Sequence, residues 1–195
     1  MKHSPSVRIP PDLMHLTRVV IRIGALYVSD TPVLLDTVLG SCISVCMYDE
    51  ETKIGGMNHF MLPESAALDP PTKARYGVQA MELLITRMMK MGGNRKNFKA
   101  KVFGGGHVLQ TLESPDSVPQ RNIAFIRQFM ATERIPVVHE DVGGKRTRRL
   151  LFLPHLGEVR LKRLQSQEAL ATRKEEEVFL QDLNTEKKDG DATLF

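Results

Sequence analysis

A chain of 195 residues can bury one substantial core but is too short for two comfortable domains. With 42% hydrophobic and 26% charged residues it is not disordered throughout, and no apolar run reaches membrane-spanning length. The formal charge of +4 hides an asymmetry: from Gln165 onward eight acids face four bases, so this tail carries −4 and residues 1–164 carry +8.

Taken in order, residues 1–17 are interrupted by prolines, lack the apolar stretch of a signal peptide and read as a flexible N-terminal segment. Residues 18–23 and 26–28 read as strands separated by Gly24, and residues 33–37 as a strand entering the most informative stretch, residues 36–63. There Leu39-Gly40-Ser41-Cys42 reads as a strand running into a tight glycine turn. Residues 43–48 form a buried strand, 49–52 a polar turn, and 53–63 a returning strand broken at Gly55-Gly56. A hairpin of this kind brings its distant ends together, so His59 can lie beside Cys42. A thiol is a poor nucleophile until it becomes a thiolate, and a neighbouring imidazole lowers its pKa and stores the proton. Thr37, or Asp36 beside it, is placed to orient that base. Gly40 and Ser41 allow a sharp turn, so that the N–H of Cys42 and a neighbour can receive a developing oxyanion.

Residues 66–74 read as a loop lining or covering a substrate groove, and residues 77–91 as the clearest helix, with Met81, Leu84, Met88 and Met91 on its buried stripe. Residues 98–103 return as a strand ending in Gly104-Gly105-Gly106. No P-loop Lys and Ser/Thr follow, so this run reads as backbone passing close to the substrate or to another strand. Residues 122–134 read as a second helix, 137–140 as a strand, and 149–153 with 159–164 as a hairpin. Glu140 and Asp141 read as partners of nearby arginines. The tail, 165–195, reads as partly helical and otherwise disordered. Mixed strands and two helices define an α+β domain over residues 18–164.

Gly40-Ser41-Cys42 and the run from Gly55-Gly56-Met57-Asn58-His59 to Leu62-Pro63 closely resemble the CheD family of chemoreceptor glutamine deamidases. The likeness continues through Ala74-Arg75-Tyr76-Gly77, Lys101 to Gly106, Arg121-Asn122, Glu140 to Gly144 and Phe152-Leu153-Pro154, spanning about residues 20–164 in order. The resemblance implies Cys42 as nucleophile, His59 as base and Thr37 as third member. It also implies two β-sheets packed face to face with outer helices, as in the cytotoxic necrotizing factor catalytic domain. Two departures, Val118-Pro119-Gln120 before Arg121-Asn122 and Gly106-His107 after the glycine run, bear on the substrate-side loops.

The expected activity is conversion of receptor glutamines to glutamate with release of ammonia through a Cys thioester, and receptor methylester hydrolysis by the same intermediate. The expected partners are the cytoplasmic domains of methyl-accepting chemoreceptors and a CheC-type phosphatase. No cofactor and no membrane insertion are expected, and two cysteines without an export signal point to the reducing cytoplasm. A non-catalytic adaptor binding receptors or CheC is the alternative. A metal site built from Cys42, Cys46, His59 and His107 is not expected, because Cys-x₃-Cys on a strand sets its thiols about 13 Å apart. Lys145, Arg146, Arg148, Arg149, Arg160, Lys162 and Arg163 gather either as a surface steering an acidic partner or as a solvated face. Without interleaved aromatics or a binding motif, they do not point to nucleic acid.

Overall fold

The computed structural model describes residues 9–62, 70–107 and 117–185. Two mixed sheets pack face to face. The first comprises β1 (Thr17–Val20), β3 (Val33–Leu39), β8 (Arg148–Leu153) and β9 (Glu158–Arg163), in the order β1-β3-β8-β9 with only β1 and β3 parallel. The second comprises β2 (Leu26–Ser29), β4 (Ile43–Asp49), β5 (Gly55–Asn58), β6 (Phe98–Gly104) and β7 (Val137–Val142), in the order β2-β5-β4-β6-β7. Among the described residues three α-helices, α1 (Pro70–Lys90), α2 (Val118–Glu133) and α3 (Ser166–Thr185), complete an α+β fold.

The strand β4 is buried along its whole length, and its side chains divide by the two-residue period of a strand. Ile43, Val45 and Met47 join Met81, Leu84, Ile85 and Met88 of α1 and Ile126 and Met130 of α2 in a core on the outer face of the second sheet. Cys46 and Tyr48 point the other way, with Cys42 just before the strand, and meet Leu35, Leu39, Leu150 and Phe152 of the first sheet. Each such buried apolar side chain contributes about 1.5–3 kcal/mol. A third cluster, Leu34, Leu151 and Leu153, lies on the far face of the first sheet and is covered by Leu13. Thus the N-terminal segment is not loose over its described part: residues 9–16 roof that face, and Leu13 is buried.

The predicted hairpin of β4 and β5 is present and antiparallel. Its glycines do not break β5, however; they open it, and the expected 53–63 strand runs only over Gly55–Asn58, with one further bridge from Phe60 to Ile43. A Cβ on Gly56 would stand 2.7 Å from both the Tyr27 carbonyl oxygen and Val28, so glycine is what lets the neighbouring strand approach. The helix α1 begins at Pro70, inside the predicted 66–74 loop, of which residues 66–69 lie outside the described residues. It ends at Lys90, leaving Met91 exposed while Ile85 completes the buried stripe. The helix α2 begins four residues earlier than expected, because Pro119 falls in the first turn, where a missing N–H costs nothing. The tail contributes the third helix, and it docks on the domain instead of standing in solvent: Ala169, Thr172 and Glu176 are buried.

Candidate active site

Cys42 lies where the chain leaves the first sheet at the end of β3 and enters the second at β4. The turn is held from one side through all three of its carbonyl groups. Gly105 N–H donates to Cys42 O and Gly106 N–H to Gly40 O, each at 2.7 Å, and the Asn122 amide donates to Ser41 O at 2.9 Å. The glycine run is therefore backbone passing against the turn at Gly40, Ser41 and Cys42. Gly104, with φ of +116°, sits so close that a Cβ there would lie 2.0 Å from Cys42 O. With its carbonyls satisfied on one side, the turn presents the N–H groups of Gly40, Ser41 and Cys42 together on the other.

His59 follows β5, and its backbone is pinned by Ala25 O (3.0 Å) and by the N–H of Gly24 (2.8 Å). Its partner Phe60 makes a two-way bridge with Ile43, which sets the imidazole beside Cys42. The Thr37 hydroxyl donates its one proton to Ile21 O at 2.7 Å. Its contact of 3.0 Å with His59 Nδ1 must then run the other way, with Nδ1–H donating to the hydroxyl oxygen, and Nδ1–H also faces Ile21 O at 3.3 Å. This network fixes the tautomer and leaves Nε2 with a free lone pair. Nε2 is buried and makes no hydrogen bond among the described residues. The Cys42 thiol, a His59 ring nitrogen and a carboxylate oxygen of Glu176 lie within 4.8 Å of one another.

Glu176, the residue that sequence reasoning missed, comes from the middle of α3. One of its oxygens accepts from Gly40 N–H at 2.8 Å and Cys42 N–H at 3.4 Å. The other accepts from Ser41 N–H at 2.9 Å and Ser41 Oγ at 2.8 Å. Its one trace in the sequence is a charged residue at the centre of a 3-4-3 spacing, Ala169, Thr172, Glu176, Phe179. Asn122, noted only as a helix start and as part of a resemblance, is the second missed residue: it ties Ser41 to Leu62, whose N–H it accepts at 2.9 Å.

The protonation state differs from the thiolate–imidazolium pair expected of neighbouring Cys and His. Burial, and then the Glu176 carboxylate, push the Cys42 thiol well above its usual range. Burial lowers His59 to about 4, against an opposing pull from Glu176 and the Ile21 carbonyl. With α3 in place the pair is neutral.

Other expected groups fall elsewhere. Asp36 does not orient His59. It points to the far face of the first sheet, where Arg149 (2.6 and 2.9 Å) and Arg18 (2.6 Å) hold it. Cys46 is buried in the core between the sheets, and His107 bonds Gln120, so neither joins Cys42 and His59. The basic cluster is split by strand alternation. Arg148 and Arg149 are buried, Arg148 bonding Asp141 (2.7 Å) and Gly143 O (2.6 Å), while Arg163 also pairs with Asp141 and Arg160 with Asp12. Glu140 pairs with Arg127. Lys145, Arg146, Lys162 and Arg163 are exposed and Arg160 is half-buried.

The architecture and this arrangement define a two-sheet α+β domain with a thiol, an imidazole and a cluster of N–H groups at one buried point. Residues 61–163 match the family described as CheD chemotactic sensory transduction. The chain is 42% identical over 173 residues to a protein of Dechloromonas aromatica named "Probable chemoreceptor glutamine deamidase CheD 1", covering 88% of this chain and 86% of that one. Proteins of Methylobacillus flagellatus (39% identity) and Thiobacillus denitrificans (41%), each named "Probable chemoreceptor glutamine deamidase CheD", match with the same coverage. The chain belongs to the CheD family. Among the described residues no helix is long and apolar enough to cross a membrane.

Proposed function

We propose that this chain deamidates glutamine side chains of chemoreceptors, with Cys42 as nucleophile, His59 as general base and acid, and Thr37 as the residue that positions His59. The observation that carries this reading is the meeting of the Cys42 thiol with His59 within 4.8 Å, at a turn whose three N–H groups already bind a carboxylate. In the reaction Nε2 of His59 takes the thiol proton as sulfur attacks the carboxamide carbon. The oxygen of the tetrahedral adduct takes the place at the N–H cluster of Gly40, Ser41 and Cys42 that the Glu176 carboxylate fills here, with the three donors already turned to one point. His59 returns the proton to the departing nitrogen, ammonia leaves, and a thioester remains. Water then gives a proton to His59 and attacks the acyl carbon, the C–S bond breaks, and glutamate and the thiol are formed. A neutral hydroxyl at Thr37 orients the ring without stabilising its charge as a carboxylate would.

The same acyl-enzyme would serve receptor methylester hydrolysis, and a CheC-type phosphatase in the cytoplasm is a further proposed partner. A non-catalytic adaptor is not favoured, since the relatives are named for deamidation. Incubation with receptor cytoplasmic fragments, followed by peptide mass spectrometry, tests the proposal. Specific Gln→Glu conversion with ammonia release is expected, and unchanged glutamines would overturn it.

A further inference from the structure

Glu176 takes no part in the reaction just described, yet it fills the place where that reaction occurs. Two observations mark it as a ligand and not as packing. The first is the face that α3 turns inward. Ala169, Thr172 and Glu176 are buried, at 2%, 8% and 0% exposure, while Leu170 and Val178 stand 54% and 55% exposed. A helix docked by apolar burial would turn those two side chains in and its glutamate out. The second is how the charge is held. Taking a carboxylate out of water costs several kcal/mol unless its lone pairs are used. Here three backbone N–H groups and the Ser41 hydroxyl use them, and no Lys or Arg is among these donors. Phe179, one turn further along, packs on the core between the sheets and against Gly24, fixing the helix over the site.

A glutamate side chain on a helix is also the chemical product of the reaction. Resting on the reading of the site given above, we propose that α3 is an internal product mimic: Glu176 occupies the place of the deamidated side chain, and a receptor glutamine reaches Cys42 only when α3 has left. The substrate groove is then the surface that α3 covers, and its occupant must be a helix presenting a single carboxamide at the level of Glu176. A tethered occupant competes at a high effective concentration, so the chain works at a fraction of its open-state affinity for receptor.

The mimicry has a sharper consequence. If position 176 sits where a substrate side chain sits, an amide placed there becomes a substrate of its own chain. Cys42 Sγ would bond to the carboxamide carbon as the C–N bond breaks, His59 would pass the thiol proton to the departing nitrogen, which leaves as ammonia, and water would then split the thioester. No other reactant is needed.

The test uses the full chain with Glu176→Gln, alone and combined with Cys42→Ala, and reads the peptide spanning position 176 by mass spectrometry. Recovery of glutamate in the single variant, with the amide intact in the double variant, is expected. In parallel, full-length Glu176→Ala should deamidate a receptor fragment about tenfold faster than the unaltered chain at low substrate, through a lower KM with kcat nearly unchanged. Survival of the amide in a chain that still deamidates receptor, or no gain from Glu176→Ala, overturns the mimic and leaves the proposed function standing. Survival of the amide together with inert receptor glutamines overturns both. Stoichiometric metal in the unaltered chain that is lost in Glu176→Ala would instead assign Cys42, His59 and Glu176 to a cation and overturn the mimic.

Discussion

Asp36 and Glu176 are both buried carboxylates, at 2% and 0% exposure, and they lie on the two sides of the strand-to-turn segment that carries Thr37 and Cys42. Asp36 is neutralised by cations: Arg149, itself buried, and Arg18 close on it from neighbouring strands of the same sheet. Glu176 is held by dipoles, the N–H groups of a turn, next to a thiol and an imidazole. The difference separates structure from function. A cation-paired carboxylate such as Asp36 ties three strands together, and its removal strands a buried charge. A carboxylate held by an N–H cluster can leave without stranding one, because on the proposed reaction those donors receive another oxygen anion in its place.

The largest effect expected from breaking this comparison is at the thiol itself. Cys42→Ala should lower deamidation by a thousandfold or more, on the order seen when a nucleophile is removed. Cys46→Ala, four residues along and buried in the core between the sheets, should keep activity and lose stability by a small cavity, about 1 kcal/mol. Steady-state kinetics and thermal melts of the two variants read the contrast.

Next is the pair of acids. Asp36→Asn leaves Arg149 buried beside a neutral group and should cost about 3 kcal/mol, a Tm fall of roughly 6–12 °C, with little change in kcat of the folded protein. Glu176→Ala should leave Tm far less changed and raise activity. Equal losses of Tm in the two variants would erase the distinction between them.

Thr37 should give a smaller effect, because it acts through His59. Thr37→Val should lower kcat about tenfold to a hundredfold with KM nearly unchanged, and shift the acid limb of the pH–rate profile, as the imidazole loses its fixed tautomer. Thr37→Ser should restore most of both, whereas a purely packing role for the methyl group would show no such rescue.

The smallest effect is on stability against pH. His59 titrates at about 4 in the folded chain against 6.5 when unfolded, so between these values the unfolded state binds more protons. Stability from this group is therefore whole above pH 6.5 and is lost progressively as pH falls toward 4. His59→Gln should flatten that part of the Tm–pH curve, and an unchanged slope would contradict the buried neutral imidazole.

What could be read from sequence follows the range of the interactions involved. The hairpin that joins Cys42 to His59 depends on a continuous apolar strand and a local turn, so its pairing was legible. The glycine run was legible as close backbone because no phosphate-binding residues follow it, although its neighbour, the Cys42 carbonyl, was not nameable. The choice between Thr37 and Asp36 needed the strand's facing. Once β3 pairs with β8, Thr37 points between the sheets and Asp36 points away. The arginine cluster was read as surface because composition counts charges without assigning faces; Arg148 and Arg149 prove to be buried ion-pair partners. The docking of α3 was least legible. Its composition is that of a solvated helix, and it is anchored by one packed aromatic, Phe179, and one hydrogen-bonded carboxylate more than 130 residues from its donors.

The measurement that bears most directly on the central claim is an acid-quenched single turnover of the full chain with a receptor fragment, followed by digestion and mass analysis of the peptide that contains Cys42. A receptor glutamine peptide joined to Cys42 as a thioester, formed as ammonia appears and decaying as glutamate appears, is the predicted result. Gln→Glu conversion that persists undiminished in Cys42→Ala, with no such adduct in the unaltered chain, would contradict it.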